Sequence, residues 1–146
     1  MPRLTISLAN SIISHAFAKS RDMKTKPLGV VVIDEGGNIV SAQRDDGASM
    51  FRIDIGFGKA WAAMSIGCSS REVGRRAKAN PVFFTTLASA GKGKFIPQTG
   101  AVLICDAAGD AIGAVGSSGA LADEDEGCCI YGVEKAGMKV GVDTPL

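Results

Sequence analysis

Residues 30–40 and 102–112 carry one pattern twice, and that repetition constrains the fold more than any other feature of the chain. Val30-Val31-Val32-Ile33-Asp34-Glu35-Gly36-Gly37-Asn38-Ile39-Val40 is echoed by Val102-Leu103-Ile104-Cys105-Asp106-Ala107-Ala108-Gly109-Asp110-Ala111-Ile112. In each copy a β-rich apolar run meets an Asp whose side chain can close a turn, a Gly supplies a positive φ, and a second apolar run returns. Each copy reads as a β-hairpin, and the pair predicts the centre of one antiparallel sheet. At 146 residues the chain has the usual size of one domain, taken as 1–146, and such a chain buries roughly 68–70% of its unfolded surface. Hydrophobic residues make up 46% of it and aromatic residues only 5%, so the core falls to Ala, Val, Ile and Leu, with 19 glycines allowing close backbone approach. That composition suits helices laid directly on a sheet, an α/β (α+β) class of fold.

Helical periodicity fills the gaps. Leu8, Ile12, Ile13, Ala16 and Phe17 recur at helical spacing over residues 5–18, behind Thr5 or Ser7 as N-cap. Further helices are predicted over about 53–64, behind Ser69 or Ser70 with Glu72 near the positive end, and in a short segment after Pro81. The last is predicted over 122–136, where Asp123, Glu124, Asp125 and Glu126 suit a helix N-terminus. Gly91-Lys92-Gly93-Lys94 reads as a mobile surface loop and Phe95-Ile96-Pro97 as an edge strand.

A formal net charge of +1, with acids and bases interspersed, provides no footprint for a polyanion, so nucleic acid is not an expected partner. Thr5, Ser7, Asn10, Ser11 and Ser14 interrupt any signal-peptide core, and no run approaches the ~20 apolar residues that span a bilayer. No membrane partner is expected, and the chain reads as soluble and cytoplasmic. The four cysteines lack CxxC spacing and His15 is the only histidine, so structural zinc is not expected. Cys128 and Cys129, adjacent in a predicted helix, read as small buried residues.

Two polar, Gly-punctuated segments each follow a strand-like run. Arg44-Asp45-Asp46-Gly47-Ala48 leads toward Lys59-Ala60-Trp61, and Gly116-Ser117-Ser118-Gly119 leads toward Asp123-Glu124-Asp125-Glu126. Loops leaving packed strands are where a small domain usually places a ligand site. Arg44 is either a bidentate clamp for a carboxylate or a strand-end partner of Asp45 or Asp46. Lys59, among Phe57, Ala60 and Trp61, either serves an anion and its chemistry or snorkels to the surface. Residues 116–119 either offer N–H groups and two hydroxyls to an anion or form an ordinary glycine turn; they lack the P-loop pattern. Asp125 is a general base, an orienting partner of Lys59, or a carboxylate favoured by the helix dipole, roles that can coexist. Arg44, Asp46, Gly47, Gly116, Ser117 and Gly119 are thus candidate ligand-binding residues, with Lys59, Asp125 and Ser118 as candidate catalytic ones.

Taken in order, these residues resemble the GlcG/HbpS-like proteins, a family labelled haem-degrading or haem-binding. The similar features are the 31–40 hairpin, Arg44-Asp45-Asp46-Gly47-Ala48, and Ile53-Asp54-Ile55 with Lys59-Ala60-Trp61-Ala62-Ala63. Gly113-Ala114-Val115-Gly116-Ser117-Ser118-Gly119 with Asp125 beyond completes them, so the resemblance covers most of the chain. It implies an antiparallel sheet of about five strands carrying helices in a profilin-like sandwich, assembly into dimers or larger rings, and haem as the cofactor or ligand. The family motif also places a lysine at Lys59. His15 becomes the candidate ligand of haem iron, since imidazole suits iron, with Tyr131, Met23 and Cys128 ranking behind it.

Three functions follow. The first is haem or small-ligand binding, with haem degradation as an extension implied by the family label. The second is a cofactor-independent, isomerase- or tautomerase-like proton transfer on a small organic acid. There Arg44 would clamp, Lys59 act as electrophile or acid, Ser118 hydrogen-bond and Asp125 act as base. The third is a non-catalytic oligomeric accessory protein.

Overall fold

In the computed structural model, which describes residues 3–144, the chain forms five helices and a five-stranded antiparallel sheet among the described residues. The elements run α1 (Ile6–Met23), β1 (Gly29–Asp34), β2 (Ile39–Arg44), α2 (Phe51–Ile66), α3 (Ser70–Ala79), α4 (Pro81–Ala90), β3 (Ala101–Cys105), β4 (Ala111–Ser118), α5 (Ala122–Lys135) and β5 (Lys139–Val140). The order β2-β1-β4-β3-β5 sets the two hairpins side by side, joined through β1 and β4. The sheet-with-helices class expected from the sequence is the one adopted.

Both hairpin turns are built by the same local chemistry. Asp34 Oδ1 accepts from the N–H groups of Gly36 and Asn38 at 2.9 and 3.0 Å, and Asp106 Oδ1 from those of Ala108 and Asp110 at 3.0 and 2.9 Å. Gly37 and Gly109 take φ of 81° and 89°, a region that a side chain would strain. Arg3 ties the two turns together, donating to Glu35 at 2.6 Å and to Asp106 at 3.4 Å.

Alternation along the central strands feeds two cores. Val30 and Val32 point toward α1 and α5, where Ile12, Ile13, Cys129 and Val133 are fully buried. Val31 and Ile33 point to the other face, against Ala60 and Ala63 of α2. A strand buried on both faces reads as a continuous apolar run, which is why Val30 to Ile33 shows no polar break. α3 and α4 add a third cluster outside α2, in which Val73, Phe84 and Phe95 meet Ala62.

Helix starts follow their caps, since Thr5 Oγ1 accepts from Leu8 N at 3.1 Å and Ser69 Oγ from Glu72 N at 3.1 Å. α1 runs on past residue 18 because no breaker intervenes before Lys24, whose left-handed backbone returns its N–H to Arg21 and Ser20. One expectation is corrected. Phe95-Ile96-Pro97 is not an edge strand: Phe95 is drawn into the aromatic cluster with Trp61 and Phe84, and β5 takes the edge beside β3. Residues 91–94 form a surface turn, with Lys92, Gly93 and Lys94 exposed and Gly91 buried against Trp61. No helix of the described residues is long and apolar enough to cross a membrane.

Glu72 anchors α3 through Arg75, at 2.6 and 2.7 Å, and Arg76, at 2.7 Å. These bonds hold its carboxyl at about 2, well below an ordinary glutamate. A lowered carboxyl contributes stability above its unfolded value and loses it as pH falls through the folded one, here from about 4.3 toward 2. The urea midpoint of the natural protein is therefore expected to fall more steeply across that window than that of Glu72→Gln. Parallel acid limbs would show that the three-residue cluster contributes nothing.

Candidate functional site

The strand ends that carry the polar segments fall together. Arg44 lies opposite Gly29, and Gly29 opposite Ser118, in one row across β2, β1 and β4. Because Gly29 has no side chain, Arg52 of α2 settles over it, its Cβ 2.8 Å from where a Gly29 Cβ would stand. From there Arg52 donates to Ser118 Oγ at 3.3 Å, while Arg44 donates to the Ala48 carbonyl at 3.0 Å. Neither arginine is ion-paired with a carboxylate among the described residues. Asp45 is held instead by Arg21, through two bonds of 2.6 and 3.1 Å that keep its carboxyl below the usual range. Asp46 is exposed, and Gly47 turns at φ 85° against Pro27.

Beneath this row lies a closed polar knot. β4 extends two residues, Ser117 and Ser118, past the partner of the first β3 residue, so the Ser117 carbonyl lies beyond the paired part of β3. Lys59 Nζ donates to Ser117 O at 3.0 Å and on to Asp125 Oδ2 at 3.2 Å. The other Asp125 oxygen accepts from Ala120 N at 3.1 Å, and Ser117 Oγ donates to the Asp125 carbonyl at 2.9 Å. Lys59 is 6% and Asp125 2% exposed, and burial above all pushes the Asp125 carboxyl up against the pull of Lys59. Gly100 makes this possible: at φ 143°, its Cβ would stand 2.7 Å from Lys59 Nζ. Of the two readings of Lys59, the surface one is excluded by its burial, and Asp125 combines a helix-start position with a direct hold on the ammonium. Neither group lines any of the five principal concavities of the described residues.

The expected glycine turn at 116–119 is also corrected, because β4 continues through Ser118 and only Gly119 has a positive φ, 135°. Gly116 is paired on both sides and packed under α2, against Gly56 and Ala60, so its N–H belongs to the sheet rather than to a loop.

His15 lies on the other face of the sheet, on α1. Gly132 lets α5 press against the Ile12 carbonyl and Ala16, and this contact sets the level at which the two helices meet. Half-buried His15 is one turn before Lys19 on the same stripe. Lys19 Nζ stands 5.2 Å and Lys135 Nζ 5.7 Å from the centre of the Tyr131 ring, so two cations share one aromatic face system on this seam. Met23 is exposed at the end of α1, whereas Cys128 is fully buried. Burial pushes the Cys128 thiol up to about 11 and that of Cys129 to about 12, which leaves both as packing residues. No cluster of three metal-ligating side chains occurs among the described residues.

Sequence reasoning passed over Arg52, Gly100 and the Lys19–Tyr131–Lys135 group. Arg52 did carry a signal, because a cation in the first turn of a helix opposes the dipole and calls for another partner. Gly100 carried none, since its neighbour Lys59 lies 41 positions away in the sequence.

This layered antiparallel architecture recurs in solved proteins. Protein ORFY of Klebsiella pneumoniae is 23% identical, with a TM-score of 0.82 over 92% of this chain and 90% of that one. A double mutant of Streptomyces reticuli HbpS is 24% identical, with a TM-score of 0.79 over 90% and 86%. A protein solved as a PduOC:heme complex is 18% identical, with a TM-score of 0.82 over 95% and 99%. At these identities the likeness is one of fold. The sequence profile of the family described as haem degrading protein HbpS-like matches residues 4–134, and the chain belongs to this HbpS-like family. No curated protein matches it.

Proposed function

We propose that this protein binds haem on the outer seam of α1 and α5, with His15 as the iron ligand. The observation that carries the reading is the setting of His15, a half-buried imidazole on the stripe of Lys19, beside a seam where Lys19 and Lys135 are gathered around Tyr131. The donor chemistry fits the group: imidazole for iron, two ammonium groups for carboxylate side arms, and an aromatic ring for the flat macrocycle. Membership of a family described as haem-degrading, and a fold shared with a protein solved with heme, support the same assignment. Bound haem would bring a redox-active iron, and the family label extends the reading to degradation. The chain's own part is to anchor, orient and charge-balance the group. Self-association belongs to the same reading, since Met50, Phe51, Val82 and Phe83 are exposed apolar side chains that a second copy would cover.

The small-acid enzyme finds less support. Lys59 and Asp125 satisfy each other inside a buried knot, and Arg44 is occupied with the Ala48 carbonyl.

Hemin titration followed by Soret absorbance tests the haem reading. The natural protein is expected to saturate at a fixed ratio per chain, and His15→Ala to weaken binding at least about tenfold with a changed spectrum. Lys19→Ala and Lys135→Ala are expected to weaken it about two- to fivefold without altering the ligation spectrum. Saturable binding that ignores His15→Ala would sink the assignment.

A further inference from the structure

A groove of about 620 Å³ runs between α3 and residues 97–99, within the size range of small-molecule sites. Its walls meet at Gly74, where a Cβ would stand 2.9 Å from the Pro97 carbonyl, so the missing side chain lets the segment rest on α3. Arg71, Arg75 and Lys78 recur at i, i+4 and i+7, which puts three cations along one wall. Ala77, Pro81 and Pro97 supply apolar surface, and Gln98 and Thr99 stand on the opposite wall.

The charges along the wall are unequal in what they can still bind. Arg71 is ion-paired with Asp123 and Glu126, while Arg75 and Arg76 share Glu72. These three arginines and three carboxylates match one another. Lys78, exposed and without an ion-pair partner among the described residues, is the unmatched charge.

We propose that this groove binds an organic carboxylate carried on an apolar body, with Lys78 holding the carboxylate and Ala77, Pro81 and Pro97 the body. One unmatched ammonium suits a singly charged carboxylate. A phosphate dianion would instead meet the carboxylates of Glu72, Asp123 and Glu126 behind the arginines. The groove is lined by α3 and the segment before β3, so it is separate from the α1 and α5 seam and independent of the haem reading. Its far end adjoins Gly100, and through it the Lys59 knot.

Calorimetric titration with 2-naphthoate, and with uncharged 2-naphthamide as comparison, tests the site on the full chain. Saturable 2-naphthoate binding, about tenfold tighter than 2-naphthamide, is the expected result. Lys78→Glu, an exposed change outside the core, is expected to weaken 2-naphthoate about tenfold and leave 2-naphthamide unchanged. Gln98→Glu should weaken 2-naphthoate about two- to fivefold by facing it with a like charge, and His15→Ala should leave both titrations unaltered. Equal affinity for the two compounds, indifference to Lys78→Glu, or displacement of 2-naphthoate by equimolar inorganic phosphate would each overturn the proposal. A failed hemin titration beside a Lys78-dependent 2-naphthoate site would remove the haem reading alone.

Discussion

Lys59→Met is expected to lower the free energy of unfolding by about 3–5 kcal/mol, the cost of leaving one member of a buried ion pair without its partner. Asp125 would retain the Ala120 N–H on one oxygen and lose the ammonium on the other, inside a site it already occupies at 2% exposure. The Ser117 carbonyl would lose its donor in the same step. Asp125→Leu alone should cost a similar amount by stranding the lysine. Lys59→Met with Asp125→Leu should recover much of the loss, since a buried pair is often replaceable by apolar groups of like volume. Urea unfolding of the four proteins gives the coupling directly.

The pH dependence adds a second check with a definite sign. A carboxyl whose folded value is raised contributes stability that is fully present below its unfolded value, about 3.9, and lost as pH climbs through the folded one. Removing Lys59 takes away the charge that opposes this rise, so the deficit of Lys59→Met is expected to shrink on acidification from neutral pH. A deficit below about 1 kcal/mol at every pH would mean that the pair behaves like a hydrated surface contact.

Gly116→Ala is the second large effect, about 3 kcal/mol of destabilisation, at the upper end of overpacking costs. The added Cβ would run into the Gly56 carbonyl and stand 3.0 Å from Ala60 N and 3.2 Å from Ala60 Cβ. All of these lie on α2, and backbone on backbone leaves no side chain to swing aside, so the helix has to lift from β4. A fall in melting temperature of about 6–12 °C follows for a chain of this size. Gly127→Ala is the matched control: nothing stands within 4 Å of its Cβ position in α5, and it is expected to stabilise by up to about 1 kcal/mol. Equal stability of Gly116→Ala and the natural protein would show that α2 does not rest directly on the β4 backbone.

These residues also mark where reading the sequence stops. Asp34 with Gly37 and Asp106 with Gly109 were legible because a turn is closed by groups two to four positions apart. Thr5 and Ser69 were legible as caps for the same reason. Phe95-Ile96-Pro97 was misread because its β-like composition is overridden by Trp61 and Phe84, which arrive from two other helices. The 116–119 stretch was misread as a loop because Gly and Ser signal turns locally. Here Gly116 instead lies within a central strand, where a Cβ would run into Gly56 and Ala60 of α2, and Ser117 bonds to the Asp125 carbonyl of α5.

The sequence by itself determined the two hairpins, the starts of the helices, and the apolar runs at the centre of the sheet. All of these are set by contacts within a turn or by the pattern of residues along a short stretch of chain. Only the tertiary structure decided that Lys59 reaches Asp125, that Arg21 rather than Arg44 holds Asp45, and that three cations line one groove beside Pro97. Those pairings join residues 24 to 66 positions apart or separate elements of the fold. Their partners are chosen by how closely the backbones approach once glycines at 29, 74, 100 and 116 have removed the side chains between them.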